Sequence, residues 1–242
     1  KYKAHNWHCL GQENRSPYAV LYTSLNCPFD CFYCNIHTLY GDRVMRYRPI
    51  EDIFDELTLF AKSAIRNIKI WDELFCLRES RVTEICEFII SEDYDFNIWA
   101  YARVDTITET MLKKMKQAGI NWLAFGFESA NEDVRQLSKK NFADCQMKKA
   151  IDMTRDAGIN IMANFMFGLL GDEWDSMEAN LDMAIRENFE YVNFYVALPY
   201  PGSRWYDSLK DKPTDWSSFS QFSPNICAPK ELVRARDRAF NA

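Results

Sequence analysis

Six stretches rich in Ile, Val, Phe, Trp and Tyr recur along the chain at residues 20–26, 67–73, 97–104, 121–129, 159–168 and 190–198, and each reads as a strand. Amphipathic segments separate them. Ile50, Ile53, Phe54, Leu57, Phe60 and Ala61 share one helical face, as do Met111, Leu112, Met115 and Ala118, then Met147, Ala150 and Ile151, then Met177, Leu181, Ala184 and Ile185. Gly119 and Gly158 stand where helix ends take up left-handed backbone, inside the repeated Ala-Gly-Ile-Asn of 118–121 and 157–160. Successive strand–helix units with crossover-length connections predict a parallel sheet.

Side-chain alternation chooses between an open doubly wound sheet and a barrel. Ile98, Ala100, Ala102 and Val104 share one face of the third strand, opposite Trp99, Tyr101, Arg103 and Asp105. Leu123, Phe125 and Phe127 oppose Ala124, Gly126 and Glu128; Ile161, Ala163, Phe165 and Phe167 oppose Met162, Asn164, Met166 and Gly168; Val192, Phe194, Val196 and Leu198 oppose Asn193, Tyr195 and Ala197. A doubly wound sheet buries both faces under helices and reads apolar on both. One polar face fits a cavity, and the chain's 242 residues suit a barrel of roughly 200 to 250. The expected fold is α/β, a partial (β/α)6 TIM-like barrel with parallel strands, its site at the C-terminal strand ends. The expected organisation is a barrel at 20–210, an N-terminal extension or linker from an upstream domain at 1–19, and a truncated C-terminal extension at 211–242.

With 29 basic against 35 acidic residues, the net charge is −6, and no run of like charges forms the footprint that nucleic acid requires. No apolar run approaches a membrane span and no signal region opens the chain, so no nucleic acid and no membrane partner are expected, and a cytoplasmic location is.

Of eight cysteines, Cys9, Cys76, Cys86, Cys145 and Cys227 are scattered and read as small buried hydrophobes. Cys27, Cys31 and Cys34 cluster just after the first strand, spaced x3 and x2. Three thiolates cannot complete a four-sulfur zinc site without a distant partner such as Cys76 or Cys227, which stays open as an alternative. On a four-iron cluster, three ligands leave one iron open.

The Cys27-x3-Cys31-x2-Cys34 loop, with aromatic Tyr33 before its last cysteine, resembles the signature of the radical S-adenosylmethionine (SAM) superfamily. The blocks YKAHNWHC, RSPYAVLYTS, IWDELF, IWAYARVD, FGFES, NFMFGLLGDE and PYPGSRWY are similar to the catalytic barrel of its cobalamin-binding subfamily, with Asn26 where that group often has Gly. The resemblance implies a [4Fe-4S] cluster on the three cysteines, its fourth iron chelated by the SAM amine and carboxylate. It also implies one-electron cleavage of SAM to a 5′-deoxyadenosyl radical, a reductant such as flavodoxin or ferredoxin, and a polar small-molecule substrate. Cobalamin would come from an N-terminal domain not in this chain and would direct the chemistry to C-methylation. Without it, rearrangement, oxidation or epimerisation stay open, as does a non-catalytic iron–sulfur or zinc module for electron transfer or assembly.

By the same resemblance, Asp72 and Glu73 stand where the superfamily meets the SAM ammonium, with Glu73 phased with Lys69 and Trp71. Arg103 would hold the SAM carboxylate, Glu128 the ribose hydroxyls with Asn164 a second candidate, and the backbone around Leu198 the adenine. Lys69, Trp99, Tyr101, Asp105, Asn193 and Tyr195 share the polar face and are substrate candidates. Ser203 is expected to cap a helix containing Trp205 and Leu209, His5, His8 and Cys9 to be structural, and Gly168–Glu173 to form a strand-to-helix turn.

Overall fold

The computed structural model describes residues 3–5, 8–9, 16–213, 216–217, 219–225 and 227–241. Tyr2, Asn6 and Trp7 of the first motif block and Arg15 of the second lie outside the described residues. The strands are β1 (Tyr18–Leu21), β2 (Ser24–Leu25), β3 (Arg46–Tyr47), β4 (Asn67–Ile70), β5 (Asn97–Ala102), β6 (Ile120–Glu128), β7 (Asn160–Phe167) and β8 (Tyr191–Val196). The helices are α1 (Ile36–Tyr40), α2 (Ile50–Lys62), α3 (Glu79–Ser91), α4 (Glu109–Gln117), α5 (Glu132–Leu137), α6 (Asp144–Asp156), α7 (Trp174–Glu187), α8 (Arg204–Ser208) and α9 (Lys230–Ala239).

Six strands form one parallel sheet in the order β1-β4-β5-β6-β7-β8. That order never turns back on itself. A doubly wound sheet reverses at a switch point, so the topology is that of a partial (β/α)6 TIM-like barrel, as expected. In register, Lys69 pairs with Trp99 and Ile70 with Ala100. The strand expected at 20–26 is split: β1 stops at Leu21, and Ser24–Leu25 turns away to form an antiparallel ribbon with Arg46–Tyr47.

The chain divides into two compact units. The first comprises Lys1–Asn26, Met45–Phe125 and Cys145–Met162, the second Cys27–Val44, Gly126–Asp144 and Ala163–Ala242. In the first unit, α2 buries Ile53 and Leu57, α3 buries Val82, Ile85, Cys86 and Ile89, and α4 buries Met111, Leu112 and Met115. Gly119, at φ +82°, ends α4 where a Cβ would press on the Phe96 carbonyl. In the second unit, Phe127, Phe165, Phe167, Phe189 and Phe194 pack in stacked and tilted pairs at centroid distances of 5.5 to 6.4 Å.

The predicted alternation holds in β7 from Ala163 onward, while Met162, expected on the polar face, is buried. Ile161, Ala163, Phe165 and Phe167 are buried while Asn164 and Met166 are half-buried. The α7 face is turned from the expected one: Ile185 is exposed and Asn180 is fully buried. Asn180 tolerates burial because its amide oxygen accepts from Ala130 N (2.6 Å) and its nitrogen donates to Met166 O (3.3 Å). No helix among the described residues is long and apolar enough to cross a membrane.

Candidate active site

The first unit carries the carboxylates that follow β4. Asp72 is fully buried: its Oδ1 accepts from Thr23 N (2.6 Å), and its Oδ2 from the hydroxyls of Thr23 (2.5 Å) and Ser24 (2.6 Å). These bonds pull residues 23 and 24 off the line of β1, which is why the first strand breaks. Burial pushes the Asp72 carboxyl above its ordinary range, against the opposing effect of those hydrogen bonds. Glu73 is half-buried and accepts from Asn26 N at 3.0 Å, with Asn26 held at φ +78° immediately before the first cysteine. The positive φ explains why glycine is at home there.

At the end of β5, Arg103 donates Nε and Nη2 to the two carboxylate oxygens of Asp105 at 2.9 and 3.0 Å, a bidentate pair. Two residues, predicted separately as a SAM contact and a substrate contact, are thus brought together. Lys69, Trp99 and Tyr101 lie on the same unit, Lys69 and Trp99 buried and Tyr101 half-buried.

The second unit carries the cysteine loop. Its backbone is tied at several points: Cys34 N donates to Cys31 O (3.1 Å), Phe32 N to Ser138 O (3.0 Å), Trp205 N to Phe32 O (3.1 Å), and His37 Nε2 lies 2.8 Å from Cys27 O. Asp30, between the first two cysteines, meets Arg43 and Arg204 at 2.5 Å and Lys139 at 3.8 Å. Cys27, Cys31 and Cys34 are half-buried thiols outside any disulfide, and burial pushes Cys34 up to about 11. Among the described residues no three His, Cys, Asp or Glu side chains converge on a single point. A four-iron cluster asks for one thiolate per iron, not for convergence, and three uncrosslinked thiols on a pinned loop supply that donor set.

Glu128 stands at the end of β6 at φ +65°, a strained conformation for a residue with a side chain. Its Oε1 accepts from Lys140 Nζ at 2.5 Å, both side chains being nine-tenths buried or more, and its carboxylate also accepts from the Tyr33 hydroxyl. Burial holds that phenol well above its ordinary value. The Tyr33 ring packs on the cluster of Val134, Leu169 and Ala197, beside Met166 and Trp205. A Cβ on Gly126 would stand 2.6 Å from Lys140 Nζ, so the glycine of FGFES leaves room for this pair. Farther along, Asn164 Oδ1 accepts from Asn193 Nδ2 (3.0 Å) and the Tyr195 hydroxyl (3.5 Å), which joins three predicted contacts into one network. Leu198 is buried and its carbonyl accepts from Tyr200 N at 3.0 Å. Ser203 caps α8 as expected, accepting from Tyr206 N, and Leu209 falls just past its end.

Sequence reasoning missed Lys140 and Asp30. Lys140 sits in an irregular stretch with no periodicity to give it a face. Asp30 could have been suspected as the one acid within the cysteine loop.

Residues 21–184 match the model of the radical SAM superfamily. The chain belongs to that superfamily. An uncharacterized methyltransferase of Pyrococcus horikoshii is 30% identical over 213 residues, covering 86% of this chain and 46% of its own length. The bacteriochlorophyllide d C-12(1)-methyltransferase of Chlorobaculum tepidum is 25% identical over 237 residues, 90% of this chain and 50% of its own. The chain therefore spans about half the length of these curated relatives. In fold, it is similar to the radical SAM methyltransferase TsrM from Kitasatospora setae, solved with cobalamin and a [4Fe-4S] cluster: TM-score 0.69 and 16% identity over 78% of this chain and 38% of that one.

Proposed function

We propose that this radical SAM chain is the catalytic barrel, spanning 20–210, of a cytoplasmic enzyme that methylates a carbon of a polar small molecule, with cobalamin held by a domain outside it. The reading rests above all on the pinned Cys27–Cys34 loop, whose Tyr33 reaches Glu128. Cys27, Cys31 and Cys34 are the ligands for the [4Fe-4S] cluster. Bound there, that group supplies the single electron, drawn from a flavodoxin or ferredoxin, that breaks a sulfur–carbon bond of SAM.

The chain's own residues position the other reactant. Glu73 offers a carboxylate to the SAM ammonium, and Arg103, steadied by Asp105, offers its guanidinium to the SAM carboxylate. Glu128 accepts from the ribose hydroxyls, with Tyr33 and Lys140 holding it in place. Asn164 is a second ribose contact, Leu198 lends its backbone to adenine, and Asn193 and Tyr195 complete a polar wall for the substrate. Methyltransferase-named relatives of comparable barrel sequence support the choice of methylation.

Anaerobic reconstitution with iron and sulfide tests this. About four irons per chain are expected, with loss of that iron on Cys27→Ala, Cys31→Ala or Cys34→Ala. Dithionite reduction should then yield SAM-derived 5′-deoxyadenosine. A reconstituted chain that binds one zinc and no iron, or whose SAM affinity ignores Glu73→Ala, Arg103→Ala and Glu128→Ala, overturns the reading.

A further inference from the structure

The residues assigned to SAM just past the ends of β4 and β5 continue, two residues back and again two residues back, into a different kind of surface. Glu73 is preceded at that spacing by Trp71 and Lys69, and Arg103 by Tyr101 and Trp99. Alternation puts each series on one face of its strand, and Lys69 is directly opposite Trp99 in the ladder. Each two-residue step is about 6.6 Å along the strand. The layer assigned to SAM is thus backed by two layers made of three aromatic rings and one cation.

These rings touch. Trp99 and Tyr101 meet edge to face at 4.5 Å between centroids, Trp71 lies 5.7 Å from Trp99, and Trp71 lies 6.5 Å from Tyr101. Lys69 Nζ lies over the Tyr18 ring at 4.9 Å and over the Trp71 ring at 5.7 Å. The arrangement departs from ordinary packing in two ways. Trp71 keeps 41% of its surface exposed at the edge of an otherwise buried face. Trp99 is 96% buried, yet among the described residues its indole Nε1–H has no hydrogen-bond partner. A buried donor left without a partner costs about 1 to 3 kcal/mol.

We propose that Lys69, Trp71, Trp99 and Tyr101 form the substrate subsite, and that it takes a small molecule combining a flat unsaturated ring system with an anionic group. The ring lies against Trp71 and Tyr101, where offset or edge contacts are favourable. The anion, a carboxylate or phosphate, draws on the Lys69 ammonium. Burial lowers the Lys69 pKa, so a bound anion also restores an environment in which the ammonium is favoured. The inference rests on the SAM-cleaving reading and narrows its substrate from polar small molecules to this class.

The test uses the full chain, reconstituted and saturated with SAM, and ligand-detected NMR titration of three probes: 1-naphthoate, 1-naphthamide and cyclohexanecarboxylate. The naphthoate should bind at least about tenfold more tightly than either of the others, the ratio expected for one charge-assisted contact and one ring contact. Lys69→Met should remove the preference for naphthoate over naphthamide. Trp71→Ala, at an exposed ring whose loss does not threaten folding, should weaken both naphthalenes and leave cyclohexanecarboxylate unchanged. Neither substitution should change iron content or SAM affinity. Equal binding of the three probes, or a naphthoate preference that survives Lys69→Met in a protein with unaltered thermal unfolding, overturns the subsite. Failure to take up iron or SAM in the wild-type chain instead strikes the reading beneath it, and the two failures are told apart by those measurements.

Discussion

Several buried polar groups of the two units are met by opposite means. In the first, the direct partners are neutral. Asp72 accepts from two hydroxyls and an amide, His8 Nε2 lies 3.1 Å from Asn97 O, and Asn67, Asn97 and Asn121 form a chain of amides. In the second, charge meets charge. Glu128 is paired with Lys140, and Arg135, with no exposed surface, is paired with Asp144 while donating to Ser129 O and Phe142 O. The Arg103–Asp105 pair of the first unit, at a strand end rather than in the core, departs from this, as does Asp172 of the second, which accepts from Gly168 N and the Ser176 hydroxyl. A neutral partner leaves burial to dominate, so the charged form is disfavoured: Asp72 shifts up, His8 and Lys69 shift down. A charged partner makes each group depend on one other residue.

Replacing a carboxylate by its amide probes that difference most directly. Glu128→Gln leaves the Lys140 ammonium buried without its counter-charge and should cost about 3 to 5 kcal/mol in chemical denaturation. Adding Lys140→Met to it should recover part of the loss, since the pair is coupled. Asp72→Asn should cost only about 1 kcal/mol, because the hydroxyls of Thr23 and Ser24 can turn to accept from the new amide while Oδ1 still accepts from Thr23 N. Asp72→Ala, which strands all three donors, should cost more than the amide. Equal losses for the two amide variants would erase the contrast.

The pH response sharpens it from the other side. Burial, the largest cause, lowers His8 from 6.5 to about 4, with the nearby Lys69 charge adding to the effect. The folded state holds this imidazole neutral, so its contribution is fully present above pH 6.5 and is lost as pH falls through 6.5 towards 4, by about 3 kcal/mol. Denaturation midpoints measured across that window should fall in the wild-type chain and stay flatter in His8→Gln. Gly126→Ala probes the Glu128–Lys140 pair by crowding rather than by charge. A methyl there pushes on Glu128 and on Lys140 Nζ, and should cost about 1 to 2 kcal/mol and weaken SAM binding, while its tolerance would mean that the pair can relax.

Much of this was legible from residue order. Six strand runs, the helix-ending Gly119 and Gly158, and the alternation of β7 all express short-range periodicity, and the structure repeats them. The three cysteines stood out because their spacing is local. Less local features were not legible. The break after Leu21 is made by a carboxylate some fifty positions away, |i−j| = 49 from Thr23. The outward turn of Ile185 reflects an asparagine whose hydrogen-bond partners lie on other elements. Lys140 is an unremarked lysine in a stretch without pattern, and nothing short of its approach to Glu128 marks it out.

By itself, then, the sequence determined the α/β class, the succession of strands in the main sheet, and the position of the thiol loop, because propensity, periodicity and motif spacing act over a few residues. Only the tertiary structure decided which charges are paired, which carboxylate is spent on the backbone, and which indole is left with an unused donor. Those outcomes depend on desolvation and on contacts between residues far apart in the chain, and no local pattern encodes them.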